Sequence, residues 1–245
     1  MKAALLGALA GAITSVAIVI SGGSLGILPN GATDARIHDY LMAHPQIILD
    51  LTAKLQDEES RRTDDARQAA VGKLGLKPYF NPRVAFITGP SNAKTTFIEF
   101  FDYNCPYCRS SLPAVKKFYE AHKRSAQFAF IEFPIKGKES VTAARAAIAA
   151  RMQPDKYLTF HFILMSEKDL VTDEIVYADA ARAGLDVAKL KADMRDSAID
   201  VAIAAAHSLA AATSIDGTPA FIINGRVHEG GIDKDVIAEM LKQQS

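Results

Sequence analysis

The chain of 245 residues sets 28 Lys and Arg against 28 Asp and Glu, is 49% hydrophobic, and has two cysteines and six histidines. Such a composition is globular rather than disordered, and a neutral chain with no Lys/Arg stripe and no interleaved aromatics excludes nucleic acid as a partner. Two cysteines cannot build a disulfide framework, and His38, His44, His122, His161, His207 and His228 show none of the close spacing that a four-ligand zinc site uses.

The chain opens "MKAALLGALAGAITSVAIVI", with Lys2 followed by 18 residues without charge. This is the pattern of an export signal with a long apolar region or of an anchor approaching the ~20 residues that span a membrane. Ser21 to Ser24 supplies small residues for cleavage, without a clean A-x-A site. Residues 1–31 are therefore expected to be a signal peptide or an N-terminal membrane anchor plus a linker. Next, Ile37, Tyr40, Leu41, Ile48, Leu51 and Leu55 recur at helical spacing, and His44-Pro45 divides the run into two helices. Residues 56–68 lose the apolar face. A helix of that kind is a solvated arm or a partner-binding stalk, so two readings stand for residues 34–75. They pack back on the main domain, or they carry a homo-oligomer contact.

After Gly72 and "KPYFNP" the apolar period changes to two. "VAFITG" (84–89) and "TTFIEFFDY" (95–103) read as strands joined by a Gly-Pro-Ser-Asn turn. A helix over 106–123 starts with Pro in its first turn, and "QFAFIEFPI" (127–135) is a third strand. Ala-rich helices fill 140–213. "PAFIINGRVHEG" is a hairpin with Asn224-Gly225 at its turn, and "DKDVIAEMLKQ" closes the chain as a helix. The crossover from 103 to 127 makes this an α/β fold with the helical block inserted mid-domain.

Cys105 and Cys108 fall where a strand ends and a helix begins. A staple across two intervening residues would constrain the unfolded chain little. Cu(I) capture by two soft thiolates is chemically sensible, although no Met-rich or His-rich tract accompanies the pair. Redox exchange suits the position best. At a helix N-terminus the unpaired N–H groups and the dipole favour an anion, and the thiolate is the nucleophile of disulfide exchange. Cys108, one turn on, is placed to resolve a mixed disulfide. Glu99 stands either on a solvated strand face or half-buried beneath the cysteines, where desolvation would raise its pKa and let it relay protons to Cys108. Asp102 and Tyr103 are read as shaping the turn, and Arg109 as supporting the thiolate or as a solvated helix residue. At residue level nothing calls for a cis bond at Pro219.

"CPYC" after an "EFFDY" strand, Pro113 five residues past the second cysteine, the inserted helices and "GTPAFIING" together resemble the thioredoxin-fold, DsbA-like disulfide oxidoreductases. Within that family "HDYLMAHPQIILDL" and "FIEFPI" look most like the suppressor-of-copper-sensitivity C (ScsC-like) branch. The resemblance covers roughly residues 34–243. It implies a thioredoxin-like domain over 81–245 with a helical insertion at about 139–213, and an N-terminal helical extension over 32–80. It further implies that Cys105 is an exposed nucleophile, Cys108 the buried resolving thiol and Glu99 the buried acid, with Pro106 and Tyr107 beside them. Thr218 and Pro219 would form a cis-Pro loop that contacts substrate backbone. No dissociable cofactor is implied, only the redox-active Cys105–Cys108 pair. The expected partners are cysteine-containing exported proteins, a membrane redox partner and further copies of the chain, in the periplasm. Tyr107 and Thr218 lean toward isomerase or reductase. A disulfide-introducing oxidase and a copper(I)-binding protein of copper tolerance are the alternatives.

Overall fold

The computed structural model describes residues 31–242, so the expected signal or anchor lies outside the described residues. Among the described residues no helix is long and apolar enough to cross a membrane. The chain divides into two compact units at Ser60/Arg61. In the first, α1 (Gly31–Ala43) is followed by the start of α2 (Gln46–Leu74), with His44 and Pro45 between them. The break has the expected cause, since proline disfavours helix at the residue before it. The polar stretch 56–68 remains helical, as part of α2. Ile37, Tyr40, Met42, Leu49, Leu51 and Leu55 are all more than half exposed.

The second unit is a five-stranded sheet with helices on it. Its elements are β1 (Phe86–Thr88), β2 (Thr95–Phe101), α3 (Pro106–His122), β3 (Ala126–Glu132), then α4 (Lys138–Ala150), α5 (Pro154–Met165), α6 (Asp173–Arg182), α7 (Val187–Asp193) and α8 (Ser197–Ala212), then β4 (Ala220–Ile223), β5 (Arg226–Glu229) and α9 (Lys234–Lys242). The strand order is β1-β3-β2-β4-β5. β2 and β3 are parallel, joined by the α3 crossover, and the other pairings are antiparallel. Strands β1 and β2, adjacent in sequence, are thus not neighbours in the sheet. β2 and β3 are buried on both faces over most of their length and take the centre, while the short, half-buried β1 takes an edge. Gly89 makes the turn out of β1 with φ +86°, and a Cβ there would meet the Ala126 carbonyl oxygen at 2.0 Å. The third strand stops at Glu132 rather than Ile135, because the N–H groups of Ile135 and Lys136 donate to the Asp102 carboxylate instead of to a ladder. The hairpin turns at Asn224 and Gly225 with φ of 52° and 84°, as a two-residue turn with both central residues left-handed.

Alternation along β2 sorts the core. Phe97 and Phe101 join Phe128, Phe130 and Phe221 on the face covered by α3 and the helical block. Ile98 and Phe100 join Ile131, Ile222, Tyr79 and Val71 on the other. Glu99 shares the parity of Phe97 and Phe101, and its register partners are Phe130 and Phe221. A carboxyl group therefore sits among phenylalanines on the face that also holds both cysteines.

Candidate active site

Cys105 is the residue that caps the N-terminus of α3, with extended backbone (φ −87°, ψ 119°), and Pro106 opens the helix. Pro106 suits that place because its missing N–H has no helical partner to lose. The Cys105 N–H donates to the Asp102 carbonyl at 3.1 Å, and its own carbonyl accepts the Arg109 N–H at 3.2 Å. The chain thus leaves β2 by a tight turn and enters the helix with the sulfur at its positive end. Both cysteines are free thiols and both are buried.

The resemblance implies an exposed Cys105, and the structure corrects this: the residue has no exposed surface. The Thr218–Pro219 peptide bond is cis, and the Cys105 thiol donates to the Thr218 carbonyl at 3.0 Å. That loop covers the sulfur. Pro219 is buried, Thr218 is 8% exposed, and the Thr218 hydroxyl is buried with no hydrogen-bond partner. Pro106 and Tyr107 are exposed beside the pair, Tyr107 to 65%.

The two thiols are pushed in opposite directions. Hydrogen bonding from the Cys108 thiol lowers Cys105 to about 5, against the opposing effect of burial, with help from the N–H groups of Cys108 and Tyr107. Burial raises Cys108 far above the ordinary thiol range, with its hydrogen bond to Cys105 and repulsion from Cys105 and Glu99 adding to it. Glu99 is 3% exposed, its Oε2 has no partner, and burial raises its carboxyl to about 8. Of its two sequence readings the solvated face is excluded.

Arg109 fits neither of its readings. Its guanidinium donates to the Tyr103 carbonyl at 2.9 Å, Asn104 Oδ1 at 3.1 Å and the Lys168 carbonyl at 3.1 Å. Asn104 Oδ1 also accepts the Val171 N–H at 2.8 Å. The residue before Cys105 is thereby tied to the α5–α6 loop. Asp102 is 2% exposed and accepts from the N–H groups of Asn104, Ile135 and Lys136 and from the Ser140 hydroxyl, all between 2.7 and 2.9 Å. It fixes the active-site turn, the end of β3 and the start of α4 at one carboxylate. Sequence reasoning found no sign of a polar cluster behind the turn. There Tyr103 OH lies 3.0 Å from His161 Nδ1, burial lowers His161 to about 3, and Glu132 binds Arg151 and accepts from Tyr157 OH at 2.7 Å. These residues are far apart in sequence and carry no motif. Among the described residues no group of three or more His, Cys, Asp or Glu could hold a metal ion, and Cys105 and Cys108 are the soft pair.

The family model described as thioredoxin matches residues 83–243. The chain belongs to the thioredoxin family. This thioredoxin-family chain is 32% identical to a thioredoxin-like oxidoreductase from Silicibacter pomeroyi DSS-3, with a TM-score of 0.63 over 69% of this chain and 95% of that one. It is 28% identical to a periplasmic thioredoxin-like protein from Salmonella enterica serovar Typhimurium, with a TM-score of 0.62 over 69% and 93%. Its fold is also that of the DsbA-like oxidoreductases, Proteus mirabilis ScsC among them (22% identity, TM-score 0.65, 88% and 96% covered). Among curated proteins it is 28% identical over 169 residues to a probable disulfide bond formation protein D from Bacillus anthracis, covering 63% of this chain and 77% of that one. It is likewise 28% identical over 186 residues to a Na(+)/H(+) antiporter NhaA 3 from Salinispora tropica, covering 75% of this chain and 28% of the antiporter. The chain thus spans little more than a quarter of the antiporters it matches. The relatives and neighbours that this domain matches over most of their own length include a thioredoxin-like oxidoreductase and a probable disulfide bond formation protein.

Proposed function

We propose that the chain is an exported thiol–disulfide exchange enzyme that acts on protein cysteines through Cys105 and leans to isomerase or reductase. The observation that carries the exchange chemistry is the opposed ionisation of the pair, with Cys105 held at about 5 and Cys108 held up as a thiol, while the lean to isomerase or reductase rests on Tyr107 and Thr218. The Cys105 thiolate attacks one sulfur of a substrate disulfide, forming a mixed disulfide and releasing the other substrate sulfur as thiolate. If a substrate thiolate then attacks the substrate sulfur of the mixed disulfide, Cys105 leaves unchanged and the substrate is isomerised with no net electron transfer. If Cys108 attacks Cys105 instead, the substrate leaves reduced and the chain is left with a Cys105–Cys108 disulfide. Its two electrons must then be restored by a membrane redox partner that carries a dithiol. For that second attack Cys108 must lose its proton, and Glu99, coupled to it, can take one only from its ionised form, a minor fraction at pH 7 with the carboxyl raised to about 8. No dissociable cofactor takes part.

Export is supported by the uncharged run after Lys2 and by the periplasmic Salmonella protein. Self-association through residues 34–75 is supported by the exposed apolar side chains of α1 and the first half of α2, and a monomeric mass by light scattering at micromolar concentration would remove that part. The low Cys105 pKa favours a second reading, a disulfide-introducing oxidase, because stabilising the reduced form makes the disulfide a stronger oxidant. One experiment separates them. Reactivation of a substrate with mispaired disulfides is followed alongside the redox state of the pair in cells, trapped by acid and thiol alkylation. Reactivation and a reduced pair support the isomerase, and an oxidised pair supports the oxidase. Reactivation that survives Cys105→Ala overturns both.

A further inference from the structure

The last turns of α2 lie in the second unit and carry Arg67 and Gln68. Arg67 is 8% exposed, a rare place for a guanidinium. Its Nε donates to the Ser214 carbonyl at 2.8 Å, Nη1 meets Asp64 at 3.2 Å, and Nη2 meets Asp216 at 3.4 Å and pairs with Glu229. Glu229, at the end of β5, passes the connection on. Its Oε1 accepts the Gly217 N–H at 2.7 Å and the Asp216 N–H at 3.2 Å. A Cβ on Gly217 would stand 3.0 Å from that oxygen, so the carboxylate is packed directly on the backbone. The next residue is Thr218, whose carbonyl faces the Cys105 sulfur. The Gly230 N–H holds the Pro219 carbonyl at 2.8 Å. Gln68 clasps the other end of the same hairpin, donating to the Gly225 carbonyl at 2.7 Å and accepting the Val227 N–H at 3.0 Å.

A continuous polar path thus runs from Arg67 through Glu229 and Gly217 to Thr218 and the reactive sulfur. Ser214, where the path begins on the loop, has φ +55°, a conformation that non-glycine residues keep only when their surroundings hold them there. Stability is a poor reason for such a pair, since apolar replacements of buried ion pairs are often as stable. Geometry is a better one, because a planar fork with several acceptors fixes direction as well as distance.

We propose that Arg67 and Glu229 are positioning residues for the exchange reaction, setting the 214–219 loop at the height where the backbone of a peptide disulfide is held against Cys105. Neither touches the sulfur. The inference rests on the reading of Cys105 as nucleophile. It assigns to α2 a part in substrate selection, favouring peptide disulfides over small ones that have no peptide backbone for the loop to hold.

The test is the ratio of two second-order rates, one for a disulfide-bonded peptide and one for hydroxyethyl disulfide, measured on the full chain and on Arg67→Met, Arg67→Lys and Glu229→Gln. In Arg67→Met the peptide rate falls on the order of tenfold, as misplacement near a reacting centre does, while the small-disulfide rate holds or rises. Arg67→Lys restores part of the ratio, since an ammonium can pair with Glu229 but lacks the fork. Glu229→Gln lowers the ratio in the same sense, and it alone decides if Arg67→Met does not fold by circular dichroism. A ratio unchanged in every folded variant, with both rates held or both falling in step, overturns the proposal. A wild-type chain inert to both disulfides, or a reactive Cys105→Ala chain, overturns the parent reading instead.

Discussion

Removing the Cys108 thiol is expected to weaken the acidity of its neighbour by an amount the site itself sets. At about 5, Cys105 is roughly 99% ionised at pH 7, where an ordinary cysteine near 8.5 is about 3% ionised. At that pH the difference stabilises the reduced chain by about 2.7 kcal/mol, which makes the disulfide about 60 mV more oxidising. The largest cause is the hydrogen bond from the Cys108 thiol. A hydrogen bond to a charged group contributes about 1.5–3 kcal/mol, or about one to two pH units at 1.36 kcal/mol each. In Cys108→Ala the midpoint of Cys105 ionisation should therefore rise to between about 6 and 7. The N–H groups of residues 107 and 108 keep it below the free value. The assay is thiolate absorbance at 240 nm against pH, with the pH profile of iodoacetamide labelling as a check. A midpoint within half a unit of wild type in Cys108→Ala would show that the thiol–thiol bond does not hold the proton equilibrium. A wild-type midpoint near 8.5 would refute the electrostatic account of the site altogether.

Two other perturbations test the buried charges. Glu99 is raised from 4.5 to about 8, so between those values the folded chain keeps a proton that the unfolded chain has lost, and stability falls as pH rises through the window, by about 3 kcal/mol at pH 7. Glu99→Gln should remove this slope, so that urea unfolding shows a larger gain over wild type at pH 7.5 than at pH 4.5, and an equal offset at both would refute it. Arg151→Met leaves Glu132, 1% exposed, with Tyr157 alone. Unfolding stability should drop by about 3–5 kcal/mol, and adding Glu132→Leu should return much of it, because the unpaired charge carries the penalty.

Local physics made much of this legible in advance. The change of apolar period at residue 84, proline at the first helical position and Asn224-Gly225 each act over a few residues, and each placed its element. The cysteine pair could be read as reactive because a strand-to-helix junction fixes its electrostatics wherever the sheet lies. What escaped depends on contacts between distant segments. The place of β1 at the sheet edge is set by competition among strands for the centre. The burial of Cys105 needs Thr218, 113 residues away. Arg109 looks the same in sequence whether it supports a thiolate or, as here, binds three oxygens. Asp102 was read as a turn residue, and that part holds, but its bonds to Ile135, Lys136 and Ser140 cross more than 30 positions. Arg67 and Glu229 gave no signal, since a lone Arg in a charged run is most simply a solvated one.

The cover over Cys105 has a kinetic consequence. A sulfur with no exposed surface is expected to meet a reactant only after the Thr218–Pro219 loop moves aside, so reactions at this thiol should share an opening step. At low reactant concentration the rate is second order and reports how well each reactant fits. At high concentration it levels off at the opening rate, and that plateau is the same for a peroxide, a small disulfide or a protein. A thiolate that would otherwise be oxidised in proportion to its acidity would then be rationed by the movement of one loop, its lifetime between substrates set by the Thr218–Pro219 cover as well as by its own chemistry.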